Sequence, residues 1–251
     1  MTKYQPQWYA SPIDLPESQS GSVAIEHKVL EAGSKTPIVG MRQAILRGTH
    51  PISAVLNEPL RVHYLTHAEH GTWMTDLPEE LNQIAEMLDT VSPWGRVLIG
   101  GLGLGIMAST VATRPGVEHV TVIEKDPDVI RLCARSGYTV IEANIYDYLK
   151  TTDDWFHFYL LDTWQATNEN AWWREVMPLR RVIRNRWGRT PTIHCWAEDI
   201  MLGQIIRTLT HTQPHWYYEH LPVPMPLPTA RAFVRNVGLP TWERKYGKKV
   251  R

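Results

Sequence analysis

A glycine-rich turn between two apolar runs dominates residues 96–126. The first run, 97–99, leads into five residues in which glycine alternates with leucine, 101–105. A helix-compatible segment follows, and a second apolar run then ends in Glu124. A strand, a tight glycine turn, a helix and a second strand tipped by a carboxylate form the nucleoside-binding half of a doubly wound sheet. The stretch therefore predicts an α/β fold with a nucleoside site at the glycine turn.

The glycines of the turn, Gly101, Gly103 and Gly105, have a mechanical role. A β-carbon there would block the approach of a ligand to the backbone, and such a turn requires φ values that favour glycine. A dinucleotide fingerprint needs a small residue three positions after its second glycine. Counted from Gly101, that position is Ile106, which is too large for close packing of helix on strand. The spacing favours a mononucleoside without a pyrophosphate, and we expect the three glycines to contact it.

Glu124 lies 19 residues after Gly105, at the predicted tip of the second strand. A carboxylate at this point can accept hydrogen bonds from both hydroxyls of a ribose, each contributing roughly 1.5–3 kcal/mol because the acceptor is charged. We therefore assign Glu124, together with the adjacent Lys125, to the nucleoside site.

Beyond the turn, strand-like and helix-like stretches continue to alternate, which is typical of a parallel α/β sheet. Predicted strands cover 138–141, 156–161 and 190–196, and predicted helices cover 126–135, 168–187 and 199–209. Two last strands, 215–221 and 231–237, are joined by a proline-rich loop without a helix-length connection. We expect them to form an antiparallel hairpin at one edge of the sheet.

The composition divides the chain into an extended polar arm, a small β-rich subdomain, an α/β domain and a basic tail. These parts are residues 1–21, 22–75, 76–240 and 241–251. Within the β-rich part we expect a hairpin that begins at Arg61 and returns through 71–74. The first helix of the α/β domain is expected to be capped by Thr75 or Asp76.

The charge is unevenly spread although the net charge is zero. Residues 170–251 hold 14 Lys/Arg against 5 Asp/Glu, a difference of +9. These basic residues either attract an anionic partner or lie on solvated helix faces. No apolar run approaches the ~20 residues that span a bilayer, and the N-terminus lacks a signal core, so we expect a cytoplasmic protein without a membrane segment. Cys133 and Cys195 lie in apolar surroundings, as buried thiols do. The oligomeric state stays open, a homo-oligomer included.

Four motifs together resemble the class I S-adenosylmethionine-dependent methyltransferase fold, and within it the spermidine-synthase-like branch. They are residues 97–103, 122–130, 142–145 and 159–162. The resemblance implies a Rossmann-like, doubly wound and mostly parallel sheet that binds S-adenosylmethionine. It places Glu124 on the ribose, Asn144 and Ile145 on the adenine, and Asp162 beside the transferred group.

Two positions depart from the aminopropyltransferases of this branch. Those enzymes carry an Asp between the last two glycines of the first motif, which holds the ammonium of decarboxylated S-adenosylmethionine, and this chain has Leu104 there. They carry a second Asp three residues after the fourth-motif Asp, and this chain has Gln165. An acid at position 104 would repel the carboxylate of intact S-adenosylmethionine, so its absence makes the intact form the expected cofactor.

Fewer sequence features indicate where the acceptor of the transferred group would bind. Asp162 lies at the predicted carboxyl end of a strand, where ligands bind in such sheets, and could take a proton from an attacking amine or hydroxyl. Trp164 could stack a flat acceptor, and Gln165 follows it. Trp73 and Asp76 precede the central domain, in the segment that often closes over the ligand in this branch. We take these four as candidate substrate residues and Asp162 as the catalytic one.

Two further clusters have a simpler interpretation. His63, His67 and His70 could meet a metal only on a shared helix, and their surroundings indicate strand and loop, so we expect no metal site. Arg180 and Arg184 share a helical face and could hold an anion, although such arginines more often pair with nearby acids.

Three functions follow from these patterns. The first is an S-adenosylmethionine-dependent methyltransferase whose acceptor is unknown. The second is an aminopropyltransferase like spermidine synthase, which uses the same fold. The third is a non-catalytic protein that keeps the nucleoside pocket for a structural or regulatory role, because no proton-accepting pair is evident.

Overall fold

The structure is a computed structural model that describes residues 11–40, 44, 50–164, 169–188, 190–212, 227–240 and 243. No helix within these ranges is long and apolar enough to cross a membrane. The predicted strand at 215–221 and the tail after 243 lie outside the described residues.

The N-terminal part is a small set of antiparallel strands, as its alternating pattern predicts. The strands are β1 (Ser18–Ser20), β2 (Val23–Leu30), β3 (Lys35–Val39), β4 (Ile52–Val55), β5 (Leu60–His67) and β6 (Gly71–Thr75). Four of them form one sheet in the order β1-β2-β5-β6, and β3 pairs with β4. The predicted hairpin is confirmed as β5 and β6, and β1 forms within the stretch predicted to be an extended arm.

Five parallel strands and their connecting helices form the main domain. After helix α1 (Pro78–Val91) come β7 (Gly95–Gly100), α2 (Ile106–Ala112), β8 (Val117–Glu124), α3 (Pro127–Cys133), β9 (Thr139–Glu142), α4 (Ile145–Thr151) and β10 (Phe158–Leu161). The next helix, α5, consists of Glu169–Ala171, a π-helical turn at Trp172–Val176, and Met177–Trp187. Strand β11 (Thr192–Cys195), α6 (Glu198–Thr212) and α7 (Leu227–Phe233) follow.

The order of the parallel strands, β11-β10-β7-β8-β9, makes this the doubly wound Rossmann-like sheet that the sequence predicts. The chain winds outward from β7 in both directions, so connections leave the adjacent strands β7 and β10 toward opposite sides. In open α/β sheets, ligands bind in the crevice at such a switch point, outside the carboxyl ends of the strands.

Side chains that alternate along the strands bury both faces of the sheet. On β10, Phe158 and Leu160 pack in the core on the side of α1, α2 and α3, whereas Tyr159 and Leu161 pack on the side of α4, α5 and α6. The side chains of β7 alternate between the two faces in the same way. Burial on both faces explains why these strands are apolar almost throughout, as central parallel strands are.

The predicted edge hairpin is wrong in its second strand. Residues 227–233 form α7, and a π-helical turn continues it through Val234–Gly238. Ala230 and Val234 are both buried in the core that includes residues of α6. Their i, i+4 spacing places them on one helical face, and this packing overrides the strand-like alternation of 231–237.

The predicted cap of α1 is also different. The N-cap residue is Leu77, whose side chain has no acceptor, and Pro78 begins the helix. Asp76 instead accepts hydrogen bonds from the backbone N–H and the ring Nδ1 of His63, both at 2.6 Å, and only 3% of Asp76 is exposed. The sequence pattern predicts that the carboxylate of Asp76 caps the helix, but this carboxylate binds the buried imidazole and the N–H of His63 instead.

Candidate functional site

The turn after β7 has the backbone that its glycines predict. Gly101, Gly103 and Gly105 have φ values of +89°, +52° and +79°, in the region that favours glycine. A β-carbon on Gly101 would lie 2.2 Å from the backbone oxygen of Asp162, so glycine lets β7 and β10 approach each other at the switch point. Ile106 begins α2 and is buried in the core.

Met74 of β6 covers the turn from the N-terminal sheet. The backbone N–H of Leu104 donates to its Sδ at 3.3 Å, and a β-carbon on Gly103 would lie 2.4 Å from the same sulfur. A thioether is a weak acceptor, so a ligand oxygen can replace it at low cost. Within the described part of the chain the N–H of Gly103 has no partner, which leaves a second donor beside that of Leu104.

Glu124 is bonded to the glycine turn and to its own strand end. Its Oε2 accepts the N–H of Leu102 at 2.8 Å, and its Oε1 accepts the N–H groups of Lys125 and Asp126 at 2.7 and 2.9 Å. A carboxylate offers about four acceptor positions, so these three bonds leave one acceptor position free on Oε2. The carboxylate is thus held rigidly and retains capacity for a ligand hydroxyl.

The adenine candidates lie at the neighbouring strand end. Asn144 is the N-cap residue of α4, and its Oδ1 accepts the N–H of Tyr146 at 2.9 Å. An amide oxygen has two lone pairs, so this bond leaves Oδ1 one acceptor position for an adenine amino group. Ile145 is buried in the core and Lys125 is exposed.

Asp162 stands at the carboxyl end of β10, directly across the switch point from the glycine turn. Burial, and secondarily the negative charge of Glu80, raise the pKa of its carboxyl from 3.8 to about 7. No described residue donates a hydrogen bond to this carboxylate; its backbone N–H bonds to Gly100. An unpaired acid whose pKa lies near neutrality can exchange a proton with a bound ligand.

Glu80 belongs to the site through its charge. Its carboxylate accepts the backbone N–H of Thr75 at 2.8 Å and the Thr75 hydroxyl at 2.6 Å, which fastens α1 to the end of β6. Burial raises the pKa of Glu80, and the two Thr75 bonds act in the opposite direction. Glu80 and Asp162 therefore form a pair of enclosed carboxyl groups on the acceptor side.

Trp73 faces away from the turn, and Asp76 is bound by another residue. Trp73 stacks on His67 with ring centroids 4.6 Å apart, and it neighbours Met74 on a strand whose successive side chains alternate. The indole Nε1 of Trp73 is buried without a partner in the described ranges. Asp76 is taken up by His63, and no group of three metal-binding side chains occurs among the residues that the structure describes.

The other candidates within the described residues are Trp164, Arg180 and Arg184. Trp164 is 7% exposed and packs in the core on the α5 side, while Gln165 lies outside the described residues. Arg180 bonds to Glu198 at 3.2 Å and Arg184 to the carbonyl of Pro191 at 3.0 Å. These bonds hold α5 against the segment around β11.

Two residues of the site were not identified from the sequence. They are Met74 and Glu80. Met74 belongs to the N-terminal hairpin and Glu80 to α1, and no local pattern specifies their contact with the turn and Asp162.

The chain was compared with protein families, curated proteins and solved structures. No protein-family model and no curated protein matches the chain. Among solved structures, one provisionally described as an S-adenosyl-L-methionine-dependent methyltransferase of Methanococcus maripaludis is 10% identical, with a TM-score of 0.33, over 53% of this chain and 64% of its own. Spermidine synthase of Thermotoga maritima is 14% identical, with a TM-score of 0.35, over 75% and 71%. This chain therefore spans less than two thirds of the first. Scores this low do not establish a shared activity, and the fold assignment rests on the strand order itself.

Proposed function

We propose that this protein binds S-adenosylmethionine and transfers its methyl group to an acceptor held beside Asp162. The proposal depends on three features that lie next to one another. A glycine turn with positive φ, a carboxylate bonded to that turn and an unpaired acid at the adjacent strand end meet at the switch point of the sheet. The motifs at these three places also resemble those of the class I methyltransferase fold.

The residues at this site are suited to bind the nucleoside part of S-adenosylmethionine. The free acceptor position of Glu124 suits a ribose hydroxyl, and the missing β-carbons of the turn allow close approach of the ligand to the backbone. The N–H of Gly103, and that of Leu104 once Met74 gives way, suit the carboxylate of the methionine tail. When bound, S-adenosylmethionine supplies a methyl group on a positively charged sulfur, which passes directly to an incoming nucleophile.

Asp162 would take the proton that the nucleophile loses. With a pKa of about 7, its carboxyl is roughly half ionised at neutral pH, which is close to the best compromise for a general base. The rest of the catalytic effect comes from positioning, because the turn and Glu124 fix the donor while β10 fixes the base.

Position 104 favours the intact cofactor over its decarboxylated form. Leu104 is fully buried and apolar, so it provides no charge to hold an ammonium or to repel a carboxylate. One observation favours aminopropyl transfer as a second candidate: two carboxyl groups, those of Glu80 and Asp162, are enclosed on the acceptor side, and a cationic amine that binds there would favour their ionised forms. Binding without catalysis is the third candidate.

Calorimetric titration with S-adenosylmethionine, decarboxylated S-adenosylmethionine and S-adenosylhomocysteine separates these functions. We expect the first and third ligands to bind at least ten-fold more tightly than the second. Tight binding of the decarboxylated form alone would replace methyl transfer by aminopropyl transfer. Absence of binding for all three ligands would rule out both transferases and the nucleoside site with them.

A further inference from the structure

The side chain of Met74 places its sulfur against backbone amides of the glycine turn. Its Sδ accepts the N–H of Leu104 at 3.3 Å, and it would lie 2.4 Å from a β-carbon on Gly103. Gly103 and Gly105 have φ values of +52° and +79°, and successive N–H groups in turns of this kind form a concave site for a negatively charged oxygen. A thioether, which is a weak acceptor, thus lies where a strong acceptor is favoured.

Met74 is also one of two methionines in the described part of the chain that are only half-buried. The other is Met177, whereas three further methionines are at most 7% exposed: Met87, Met107 and Met201. Both cysteines are buried, and burial raises the pKa of each thiol to about 12, so neither is ionised at neutral pH. A small oxidant therefore reaches Met74 and Met177 more easily than the other sulfur atoms of the described residues.

We propose that Met74 is a site of reversible oxidation and that its sulfoxide closes the nucleoside site. A lone pair of Sδ attacks one oxygen of a peroxide and the O–O bond breaks. The other oxygen takes the released proton and leaves, as water when the oxidant is hydrogen peroxide. The sulfur is oxidised by two electrons and the peroxide is reduced by two. Methionine sulfoxide reductases reverse the change.

The sulfoxide differs from the thioether in its strength as a hydrogen-bond acceptor. Its oxygen carries a partial negative charge, and the amides of Gly103 and Leu104 are the donors beside it. Bonds to these amides fix the side chain over the turn and occupy the donors that the carboxylate of S-adenosylmethionine would need. The effect on the cofactor rests on the proposed function, whereas the hydrogen bond to the turn does not.

The experiment exposes the wild-type protein to hydrogen peroxide, removes the peroxide, and maps the oxidised methionines by peptide mass spectrometry. Nuclear magnetic resonance then gives the exchange rate of the Leu104 amide, and calorimetry gives the affinity for S-adenosylhomocysteine. Oxidation should slow the exchange and weaken the binding about five-fold each, which is the effect of one net hydrogen bond. Treatment with a methionine sulfoxide reductase should reverse both changes.

Two variants assign the effect to one residue. Met74→Leu keeps an apolar side chain of similar size without a sulfur atom, so peroxide should leave its amide exchange and its affinity unchanged. Met177→Leu is the matched control, because Met177 is also half-buried but packs against the core on the α5 side, and it should respond to peroxide as the wild-type protein does. Thermal unfolding checks that each protein is folded.

Met74 that stays reduced while Met177 is oxidised would overturn the proposed oxidation. Unchanged exchange and affinity after complete oxidation of Met74, or an equal loss in peroxide-treated Met74→Leu, would overturn its effect on the site. Each of these results leaves the proposed function standing. Absence of binding of S-adenosylhomocysteine to the untreated protein would instead overturn the proposed function, and the exchange of the Leu104 amide would still decide whether the sulfoxide bonds to the turn.

Discussion

The backbone N–H of Leu102 donates a hydrogen bond of 2.8 Å to Oε2 of Glu124. This bond joins the glycine turn after β7 to the tip of β8, beside the backbone bond from the N–H of Gly101 to the oxygen of Ile123 at 2.9 Å. It positions the carboxylate and the turn as one unit, so a nucleoside that bonds to Glu124 contacts a turn that is already in place.

Glu124→Gln should weaken binding of S-adenosylhomocysteine at least ten-fold, about 1.4 kcal/mol. The amide keeps one oxygen, but it replaces the other by a donor that faces the N–H groups of Lys125 and Asp126 or the ribose. Calorimetry provides the measurement. Glu118→Gln, the same change at the exposed opposite end of β8, should leave the affinity within two-fold. Equal losses in both variants would contradict the ribose assignment.

Asp162→Asn should change how stability depends on pH. The native pKa of about 7 is above the unfolded value near 4, so proton binding stabilises the folded state fully below pH 4, and this contribution is lost as the pH rises through 7. Relative to wild type, the variant should gain up to about 2–4 kcal/mol between pH 4 and pH 8.

Urea denaturation at several pH values tests this difference. Asp153→Asn, at a fully exposed side chain, is the matched control and should follow the wild-type curve. Parallel curves for Asp162→Asn and wild type would mean that the carboxyl of Asp162 titrates normally and is a poor general base.

Gly103→Ala should destabilise the protein by about 1–3 kcal/mol, because alanine is strained at positive φ and its β-carbon meets Met74. Gly71→Ala is the control, since Gly71 also has positive φ but open space around it. The excess cost at Gly103 should disappear when both proteins also carry Met74→Ala. An excess that persists in that background would show that Met74 does not cover the turn. Thermal or chemical unfolding measures all four variants.

The parallel sheet was predictable because strands that are buried on both faces are apolar throughout, and this pattern is visible in the sequence. Val97, Ile99 and Leu98 fill opposite faces of β7, so the run is apolar throughout, and the positive φ of the turn could be predicted from glycine alone. Glu124 could be located because strand tips and glycine turns meet at a fixed edge of such sheets.

The parts that were missed depend on contacts between distant segments. The approach of Met74 to Leu104 joins residues 30 positions apart, and nothing local to either residue specifies it. Asp76 resembles a helix cap in sequence, but the buried N–H and ring of His63 bind it instead. A π-helical turn adds one residue to a helical turn, so the side chains of Trp172–Val176 lie on faces that a regular period does not give.

Glu198→Gln should destabilise the protein by about 3–5 kcal/mol. Glu198 is 1% exposed and bonds to Arg180 at 3.2 Å and to Arg231 twice at 2.7 Å. The substitution leaves two guanidinium groups without their counter-charge. Asp153→Ala, which breaks the exposed pair with Arg186, should cost below about 1 kcal/mol. Similar costs for both variants in chemical denaturation would contradict a structural role of Arg180.

The central claim is that the carboxylate of Glu124 holds the ribose of a nucleoside at the glycine turn. A crystal structure of the complex with S-adenosylhomocysteine measures this directly, as the distance between the ribose hydroxyls and Oε2 of Glu124. The site predicts a hydroxyl within about 3.2 Å of that oxygen, with the turn close beneath the ligand. A nucleoside bound with its ribose away from Glu124, or bound outside the edge formed by β7, β8 and β10, would contradict the claim.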